Sequence, residues 1–331
     1  MNRLTDRERF LKAVRWQELD RPPLWADGVQ EETWVAWSVT HPNARKELEE
    51  QFLWDRCQVI PMHLGPMVPC PLTGREDDWD RRAEAFQIEK APHELVPKIA
   101  ASQDLSVPAG VWVSRGFFLT LGVEDWTTLC QVLFAVYDQP RQVQKVIEKA
   151  VNLVLYQLDR LPTDVVVDFA VISEPIASFH QPVLSPVLYR RFCGEPYRLL
   201  VDRLKARGVA LVLVETYGYV EPLIPIWLEM GIGGLWCHHA NAAGMDYRIL
   251  RKKYGRELVL FGGIDARCLL KGRIDMEQAV RRALSLIESG GYLPFLDDKV
   301  RPNIPFDAYR HYRATLDEMV RRLCSAAPAL N

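Results

Sequence analysis

Short aliphatic runs alternate with amphipathic runs of helical length along most of this chain. In the carboxyl-terminal half the aliphatic runs read VALVLVET, GIGGLWC, ELVLFGGI and GYLPFL, and each leads into polar residues. Between them, residues 186–207, 221–230 and 247–254 have helical periodicity, and glycine, a common helix stop, follows each segment. Continuous apolar strands separated by helices are typical of parallel sheets. The pattern therefore predicts a parallel α/β fold with polar side chains at the carboxyl ends of its strands.

The same alternation fills almost the whole chain of 331 residues, without a linker or charge block between its halves. Residues 1–20 contain a charged, helix-periodic segment, LWAD reads as the first strand, and residues 121–160 read as two helices split at Pro140. We predict a single domain over residues 1–331, a (β/α)8 TIM barrel with an N-terminal helical extension. The alternative is an open doubly wound sheet. No GxGxxG or GxxxxGK(S/T) motif follows a strand, which disfavours a nucleotide-binding version of that fold.

The segment 63–106 breaks this regularity. It is rich in proline, glycine and charged residues, and it has little continuous periodicity. Long irregular insertions in compact domains are commonly functional rather than inert. We therefore predict that residues 63–106 form an irregular insertion that acts as a lid or as a partner-binding surface.

Charge, hydrophobicity and cysteine content disfavour nucleic-acid-binding, membrane-spanning and secreted proteins. The formal net charge of −2 gives no electrostatic basis for binding nucleic acid or an anionic membrane. No apolar run approaches the ~20 residues that a membrane-spanning helix needs. The seven cysteines are scattered without a CxxC pair, and the amino terminus lacks the pattern of a secretion signal. We therefore predict a cytoplasmic protein with reduced cysteines.

Acidic residues follow several of the predicted strands. Glu174 ends DVVVDFAVISE, Glu215 follows VALVLV, and Asp298 follows GYLPFL beside Asp297. A carboxylate directly after aliphatic residues costs stability unless it is paired or used, so Glu174, Glu215 and Asp298 are the candidate catalytic residues. In the Asp297-Asp298 pair, repulsion between like charges can raise one pKa and make that acid a proton donor. The alternative for this pair is a solvated loop charge, and Asp265 is expected to cap a helix.

The same strand ends offer ligands for a divalent metal. A catalytic zinc site needs about three protein ligands and an open position. The candidate ligands are Glu215, Cys237, His239 and Asp298. In an extended segment, side chains 237 and 239 share one face and His238 points to the other. The alternative is that the acids bind substrate directly or pair with Arg115.

Aromatic residues also collect at predicted strand ends. Five of them could wall a flat apolar substrate such as a methoxybenzene, although barrel cores use such residues too: Trp25, Trp112, Tyr217, Tyr219 and Trp236. The predicted substrate-binding residues are Trp25, Tyr217 and Trp236 from this aromatic group, together with the polar residues Asp27, His63 and Arg115.

Three longer segments carry a resemblance to a known family. They read ETYGYVEPLIPIWLEMGIGGLW, NAAGMDYRILRKKYGRELVLFGGID and GGYLPFLDDKVRPNIPFDAYRHYRATL. These segments resemble the uroporphyrinogen decarboxylase superfamily and, within it, the branch of corrinoid-linked methyltransferases. Shorter matching pieces occur earlier, so the resemblance spans nearly the whole chain. It implies a TIM barrel with its active site at the carboxyl ends of the strands.

Two departures from the family patterns limit what the resemblance implies for chemistry. The decarboxylases carry an arginine-rich stretch after the first strand, where this chain reads WADGVQEETWVAW, with Asp27 but no arginine. In the thiol-methylating relatives the zinc ligands are a His-x-Cys pair and a further cysteine, at positions that hold Glu215, Tyr217 and Asp298 here. A polyanionic porphyrinogen is therefore disfavoured. Oxygen ligands suit a harder metal site that activates an ether or hydroxyl oxygen.

The resemblance thus implies a methyltransferase that moves a methyl group from a small donor, such as an aryl methyl ether, to a corrinoid protein. No DxHxxG-like cobalamin motif occurs in the chain, so cobalamin is expected on that partner protein. Zinc or another divalent metal is the expected cofactor of the chain itself. Two alternatives stay open. One is a carboxy-lyase acting on a tetrapyrrole or on a smaller carboxylate bound by Arg115, and the other is a non-catalytic corrinoid or tetrapyrrole binder.

Overall fold

The computed structural model describes residues 4–25, 28–65, 77–87 and 103–326. The chain forms two compact units. The central unit contains Gln58–Leu105 and Ala109–Leu235, and the terminal unit contains Met1–Cys57, Ser106–Pro108 and Trp236–Asn331. In the described part of the chain, no helix is both long and apolar enough to cross a membrane.

The elements alternate between strand and helix from β2 onward. The α-helices are α1 (Asp6–Val14), α2 (Glu31–Ser38), α3 (Ala44–Gln51), α4 (Asp78–Glu84), α5 (Phe117–Thr120), α6 (Trp126–Asp138), α7 (Pro140–Arg160), α8 (Pro186–Ala206), α9 (Ile224–Glu229), α10 (Tyr247–Tyr254), α11 (Arg273–Arg282), α12 (Leu284–Ser289) and α13 (Phe306–Ala326). The strands are β1 (Gln58–Ile60), β2 (Ala109–Ser114), β3 (Phe169–Glu174), β4 (Leu211–Tyr217), β5 (Gly234–His238), β6 (Val259–Phe261) and β7 (Tyr292–Leu293).

The central unit is built on parallel strands that pair in chain order from β1 to β4. Residues Phe169–Ile172 of β3 and Leu211–Val214 of β4 are buried, which explains their continuous apolar sequence. Gly110 in β2 is required by packing, because a Cβ there would lie 2.1 Å from Cζ of Phe169. The long helices α7 and α8 pack against each other.

In the terminal unit, β6 and β7 pair in parallel. Helix α1 begins with a capping box in which Thr5 and Glu8 bond each other's backbone N–H, and Phe10 stacks on Trp25 with ring centroids 5.4 Å apart. The Arg251 guanidinium ties α10 to the neighbouring loops by donating to four backbone carbonyls, those of Gly255, Leu258, Gly290 and Gly291.

A buried ion cluster links distant positions within the amino-terminal part of the terminal unit, Met1–Cys57. The Asp55 side chain is fully buried and accepts hydrogen bonds from the Arg9 and Arg21 guanidinium groups. It also accepts the backbone N–H of Leu24 at 2.7 Å. Both arginines are buried as well, so water does not solvate these charges. Arg9 has a second partner in Asp20, whose Oδ1 lies 2.8 Å from the Arg9 Nε.

The predicted α/β class with parallel strands is confirmed. The helices predicted at 186–207 and 247–254 correspond to α8 and α10, and the pair within 121–160 corresponds to α6 and α7, which meet at Pro140. Seven strands, rather than the eight of the predicted barrel, occur among the residues that the structure describes.

The strand predicted at LWAD is not found at its first two residues, Leu24 and Trp25. The Leu24 N–H bonds the Asp55 carboxylate instead of a neighbouring strand. Asp27, a predicted substrate-binding residue, lies outside the described residues, as does much of the predicted 63–106 insertion. The described part of that insertion includes α4.

Candidate functional site

The central unit places one candidate acid beside an aromatic ring. Along β4, Leu211, Leu213, Glu215 and Tyr217 alternate onto one face of the sheet. On β2, Trp112 reaches the same face and donates its indole N–H to Glu215 Oε2 at 3.1 Å. Glu215, Tyr217 and Trp112 are all partly exposed. We call the side of the sheet that carries these three residues the Glu215 face.

Glu174 points to the opposite side of the sheet. In the register of β3 with β4, Ser173 lies beside Glu215 and Glu174 lies beside Thr216. Side chains at successive strand positions point to opposite faces, so the structure does not bring Glu174 and Glu215 together. The side on which Glu174 lies is covered by helix α8.

The Glu174 carboxylate is fully buried in a hydrogen-bond network. It accepts the Phe117 N–H at 2.7 Å, the Tyr189 hydroxyl at 3.1 Å and the Tyr197 hydroxyl at 3.2 Å. Tyr189 in turn accepts the indole N–H of Trp227 at 3.0 Å. This network connects the end of β2 with α8. Its tyrosines were not predicted, and their only sequence signal is a spacing of eight residues, which places both on one side of α8.

Burial raises the pKa of Glu174 from 4.5 to about 7, and the three donors limit the rise. Because the pKa is higher in the folded state, this acid stabilises the fold most below its unfolded pKa, and that contribution is lost as pH rises toward 7. We therefore expect the free energy of unfolding of the wild type, relative to Glu174→Gln, to fall between about pH 4.5 and 7 by up to about 1.4 kcal/mol per pH unit. Urea unfolding of both proteins across this pH range measures the difference in their free energies of unfolding. A difference that is constant or rises with pH would contradict the assignment.

Gly116 allows the backbone to pass close to this network. Its φ is +83°, and a Cβ there would lie 2.4 Å from the Ser173 carbonyl oxygen. Gly208 has nearly the same φ, +84°, but nothing within 4 Å of its Cβ position, so it is a matched control. We expect Gly116→Ala to lower the free energy of unfolding by about 1–3 kcal/mol more than Gly208→Ala does. Urea unfolding measures both losses. If the two variants lost equal free energy of unfolding, the positive φ alone would explain the loss and the close contact at Gly116 would add nothing.

Arg115 and His63 are the other candidates in the central unit. Arg115 is partly buried, its Nη1 has no hydrogen-bond partner among the described residues, and burial lowers its pKa. It lines a small cavity of about 10 Å³ together with Ser114 and Tyr197. The backbone of His63 is fixed by Gln157, whose side chain accepts from its N–H at 2.9 Å and donates to its carbonyl at 2.7 Å.

In the terminal unit, the predicted substrate-binding residues Trp25 and Trp236 pack largely against other aromatic side chains of the unit. Trp25 is buried and lies 5.6 Å from the Phe261 ring. Trp236 lies 5.4 Å from the His238 ring and 5.4 Å from Phe295, by ring centroids. The Trp236 Nε1–H is buried and makes no hydrogen bond within the described ranges. Trp236 and His238 therefore share the face that β5 presents to Phe295.

The prediction that Cys237 and His239 share one face of an extended segment is wrong. Strand β5 ends at His238, and His239 has φ +55°, a left-handed conformation that interrupts the extended pattern. Cys237 is fully buried, and burial strongly raises the pKa of its thiol, with Asp297 as a further cause. A cysteine binds a metal as its thiolate, so burial disfavours Cys237 as a ligand.

Asp297 connects the loops that follow three strands. Its carboxylate accepts the Ala266 N–H at 2.9 Å and two donors of Asn241, the backbone N–H at 3.0 Å and the side-chain amide at 2.8 Å. Its carbonyl accepts the His239 N–H at 2.7 Å. Burial raises the pKa of Asp297. Asp265 caps the following 3-10 helix by accepting the Arg267 N–H, as predicted.

Of the two neighbouring acids Asp297 and Asp298, Asp298 is the one that faces open space. Its Oδ2 lies 3.6 Å from His239 Nδ1 and 3.4 Å from an Arg301 guanidinium nitrogen. These three residues line a cleft of about 230 Å³, to which Lys299 and Arg267 also contribute. The terminal unit therefore brings the predicted residues His239 and Asp298 together.

The predicted metal ligands are divided between the units, with Glu215 in the central unit and the other three in the terminal unit. Within neither unit do the described residues contain three or more His, Cys, Asp or Glu side chains close enough to hold a metal ion. A zinc or other divalent metal site stays a prediction.

The sequence pattern of the uroporphyrinogen decarboxylase family (URO-D) matches residues 127–319, which is more than half of the chain. The chain belongs to the uroporphyrinogen decarboxylase family. The match covers β3 to β7, and so both Glu215 and the Asp297-Asp298 pair. No curated protein matches this family member.

Among solved structures, a methyltransferase from Methanosarcina mazei is similar to this URO-D family chain, with a TM-score of 0.60, 15% sequence identity, and 95% of this chain and 99% of that chain covered. At this identity the similarity shows a shared fold. A B12-independent methionine synthase from Shewanella sp. W3-18-1 aligns with a TM-score of 0.41, 13% identity, and 70% of this chain and 67% of that chain covered. That second likeness is too low to support an argument.

Proposed function

We propose that this protein is a methyltransferase that moves a methyl group from a small donor, such as an aryl methyl ether, to the corrinoid of a separate protein. The observation that carries the proposal is the Glu215 carboxylate, partly exposed on the Glu215 face and bonded by Trp112. An acid flanked by the Trp112 and Tyr217 rings suits a flat, uncharged donor with one oxygen that must leave. The methyltransferase named among the structures of similar fold adds support.

Glu215 is proposed to protonate the leaving oxygen. The Trp112 indole is a donor only, and its bond to Oε2 holds the carboxyl group in place. Protonated Glu215 is proposed to donate to the ether oxygen of the methyl donor. As the bond between methyl carbon and oxygen breaks, Glu215 gives its proton to that oxygen and the product is a phenol. The carboxylate that remains is stabilised by the Trp112 N–H. Tyr217, two positions along β4, is proposed to hold the donor ring.

The acceptor in this proposal is the corrinoid cofactor of a partner protein. When bound, it supplies a strongly nucleophilic cobalt that takes the methyl group. The residues of this chain then have three tasks, which are to orient the methyl carbon, to exclude water and to supply the proton.

A second candidate is a carboxy-lyase acting on a small carboxylate. The observation that favours it is Arg115, whose Nη1 is buried without a hydrogen-bond partner among the residues described and could bind a carboxylate. It predicts release of CO2 without any corrinoid partner.

One assay separates the two candidates. The purified protein is incubated with a panel of methoxylated aromatics and a panel of aromatic carboxylates, each with and without a reduced corrinoid protein. We expect release of a phenol from a methoxylated donor only when the corrinoid protein is present. Release of CO2 without corrinoid would support the carboxy-lyase and refute the methyltransferase.

A further inference from the structure

The loops that follow β5, β6 and β7 enclose the cleft of about 230 Å³ that His239 and Asp298 line. Three cationic side chains also line it, and we call it the basic cleft after them: Arg267, Lys299 and Arg301. Asp297 ties the three loops together, because its carboxylate accepts the Ala266 N–H and its carbonyl accepts the His239 N–H. Parallel α/β folds bind their ligands at this end of the strands.

The positions of Lys299 and Arg301 follow from the residue between them. Val300 is fully buried, forms a parallel bridge with Val29, and its carbonyl accepts the Thr33 hydroxyl at 2.8 Å. In such an extended segment, successive side chains point to opposite sides, so the burial of Val300 turns both cations outward. Lys299 and Arg301 therefore reach the same cleft.

The basic cleft contains more hydrogen-bond donors than its own acceptors use. The Lys299 ammonium group makes no hydrogen bond or ion pair with the residues that the structure describes, although its backbone N–H bonds Asp298 at 2.8 Å. The Arg301 guanidinium has one long contact, 3.4 Å to Asp298. Arg267, in contrast, is held by Asp265 through two hydrogen bonds of 2.8 and 2.9 Å. Lys299 and Arg301 are therefore the two cations that are available to a bound anion.

Apolar side chains complete the walls of the basic cleft: Ala242, Ala266, Leu270 and Ile304. Leu270 is 56% exposed, so part of this apolar wall is open to a ligand. A ligand that matches both parts of the cleft carries a negative group and an apolar body. Inorganic phosphate would bring the charge but leave the apolar wall in contact with water. The volume suits a small molecule, since pockets for drug-sized ligands begin at about 300 Å³.

We propose that the basic cleft binds a small organic carboxylate. The carboxylate oxygens lie between the Lys299 ammonium and the Arg301 guanidinium, whose planar fork matches a carboxylate. The apolar body of the ligand lies against Leu270 and Ile304. This site does not depend on the proposed methyl transfer, because its ligand is recognised by charge and shape alone.

Calorimetric titration of the full chain at low ionic strength, without corrinoid, tests the proposal. The probes are benzoate and hexanoate, with benzamide as an uncharged match for benzoate. We expect saturable binding of at least one carboxylate, and binding of benzamide that is about tenfold weaker or less. Lys299→Gln and Arg301→Gln should each weaken carboxylate binding about tenfold, since each removes a charge-assisted hydrogen bond. Lys252→Gln is the matched control, because Lys252 is an exposed cation on α10 outside the cleft, and it should bind like the wild type.

Three results of this titration would overturn the proposal. They are no saturable binding of either carboxylate, equal binding of benzamide, and unchanged binding by either of the two cleft variants. Tighter binding of inorganic phosphate than of either carboxylate would overturn it in favour of a phosphate site.

Acetylation of lysine side chains locates the bound carboxylate. The protein is treated with acetic anhydride, with and without the carboxylate that binds, and modification is followed by mass spectrometry. We expect the bound carboxylate to slow the acetylation of Lys299 several-fold and to leave that of Lys252 unchanged. Binding heat without protection of Lys299 would place the carboxylate elsewhere, for example at Arg115, and would contradict the assignment.

Discussion

Replacing Glu215 by glutamine is expected to slow methyl transfer by about 10²–10⁴-fold, the usual contribution of a positioned proton donor. Glutamine keeps the shape of the side chain and can still accept the Trp112 N–H, but it cannot give a proton to the leaving oxygen. Glu215 is partly exposed and glutamine has nearly the same volume, so stability should change little. The measurement is kcat/KM for phenol release, together with thermal unfolding.

Glu195→Gln is the control for this experiment. Glu195 is an exposed acid on α8 that pairs with Arg198 at the helix surface. Its substitution removes one negative charge from the same unit and should leave the rate unchanged. If Glu215→Gln kept the rate of the wild type, Glu215 would not be the proton donor and the proposed chemistry would lose its main residue.

Replacing Asp55 by alanine is expected to lower the free energy of unfolding by about 3–5 kcal/mol, because it leaves the buried charges of Arg9 and Arg21 without their shared partner. The buried Leu24 N–H also loses its acceptor. Arg9 keeps its ion pair with Asp20, so the cost is mainly that of the stranded Arg21 charge, rather than the value of a favourable ion pair. Urea unfolding at neutral pH measures the loss.

Glu31→Ala is the matched control for the ion cluster. Glu31 pairs with Arg45 at 3.0 Å, but their side chains are 78% and 55% exposed. Exposed pairs contribute about 0–1 kcal/mol, so this variant should unfold close to the wild type. Similar losses in the two variants would mean that the Asp55 cluster is not desolvated as the structure indicates.

Local signals predicted the helices well. Helix α8 begins after Ser185, whose hydroxyl accepts the Leu188 N–H, and carries proline at its first position. Asp246 caps α10, which ends at Tyr254 and is followed by Gly255. These signals act over a few residues, so they can be read from the sequence without knowing which distant residues pack nearby.

The face that each acid occupies could not be predicted in the same way. Glu174 and Glu215 both end apolar strands in the sequence, yet the register of β3 with β4 directs them to opposite sides of the sheet. The left-handed conformation of His239 likewise escaped prediction, because it accompanies a hydrogen bond to the distant Asp297 carbonyl. Register and loop conformation depend on contacts far apart along the chain.

The strand predicted at LWAD is not found at Leu24 and Trp25, its two described residues, for a similar reason. Its residues are apolar enough for a strand, but the Leu24 N–H that a strand partner would accept is taken by Asp55, 31 residues later. The sequence shows an isolated aspartate after a tryptophan at that position, and nothing in its neighbourhood indicates that two buried arginines converge on it.

The most direct test of the central claim is a single-turnover reaction that follows a ¹³C-labelled methyl group. The wild-type protein is mixed with a methoxylated aromatic donor carrying the label and with a stoichiometric amount of reduced corrinoid protein, and the product is examined by NMR. The proposed function predicts that the label appears on cobalt and that an equal amount of phenol is formed. Phenol without labelled cobalt, or no reaction with any donor that binds, would contradict transfer of the methyl group to a corrinoid.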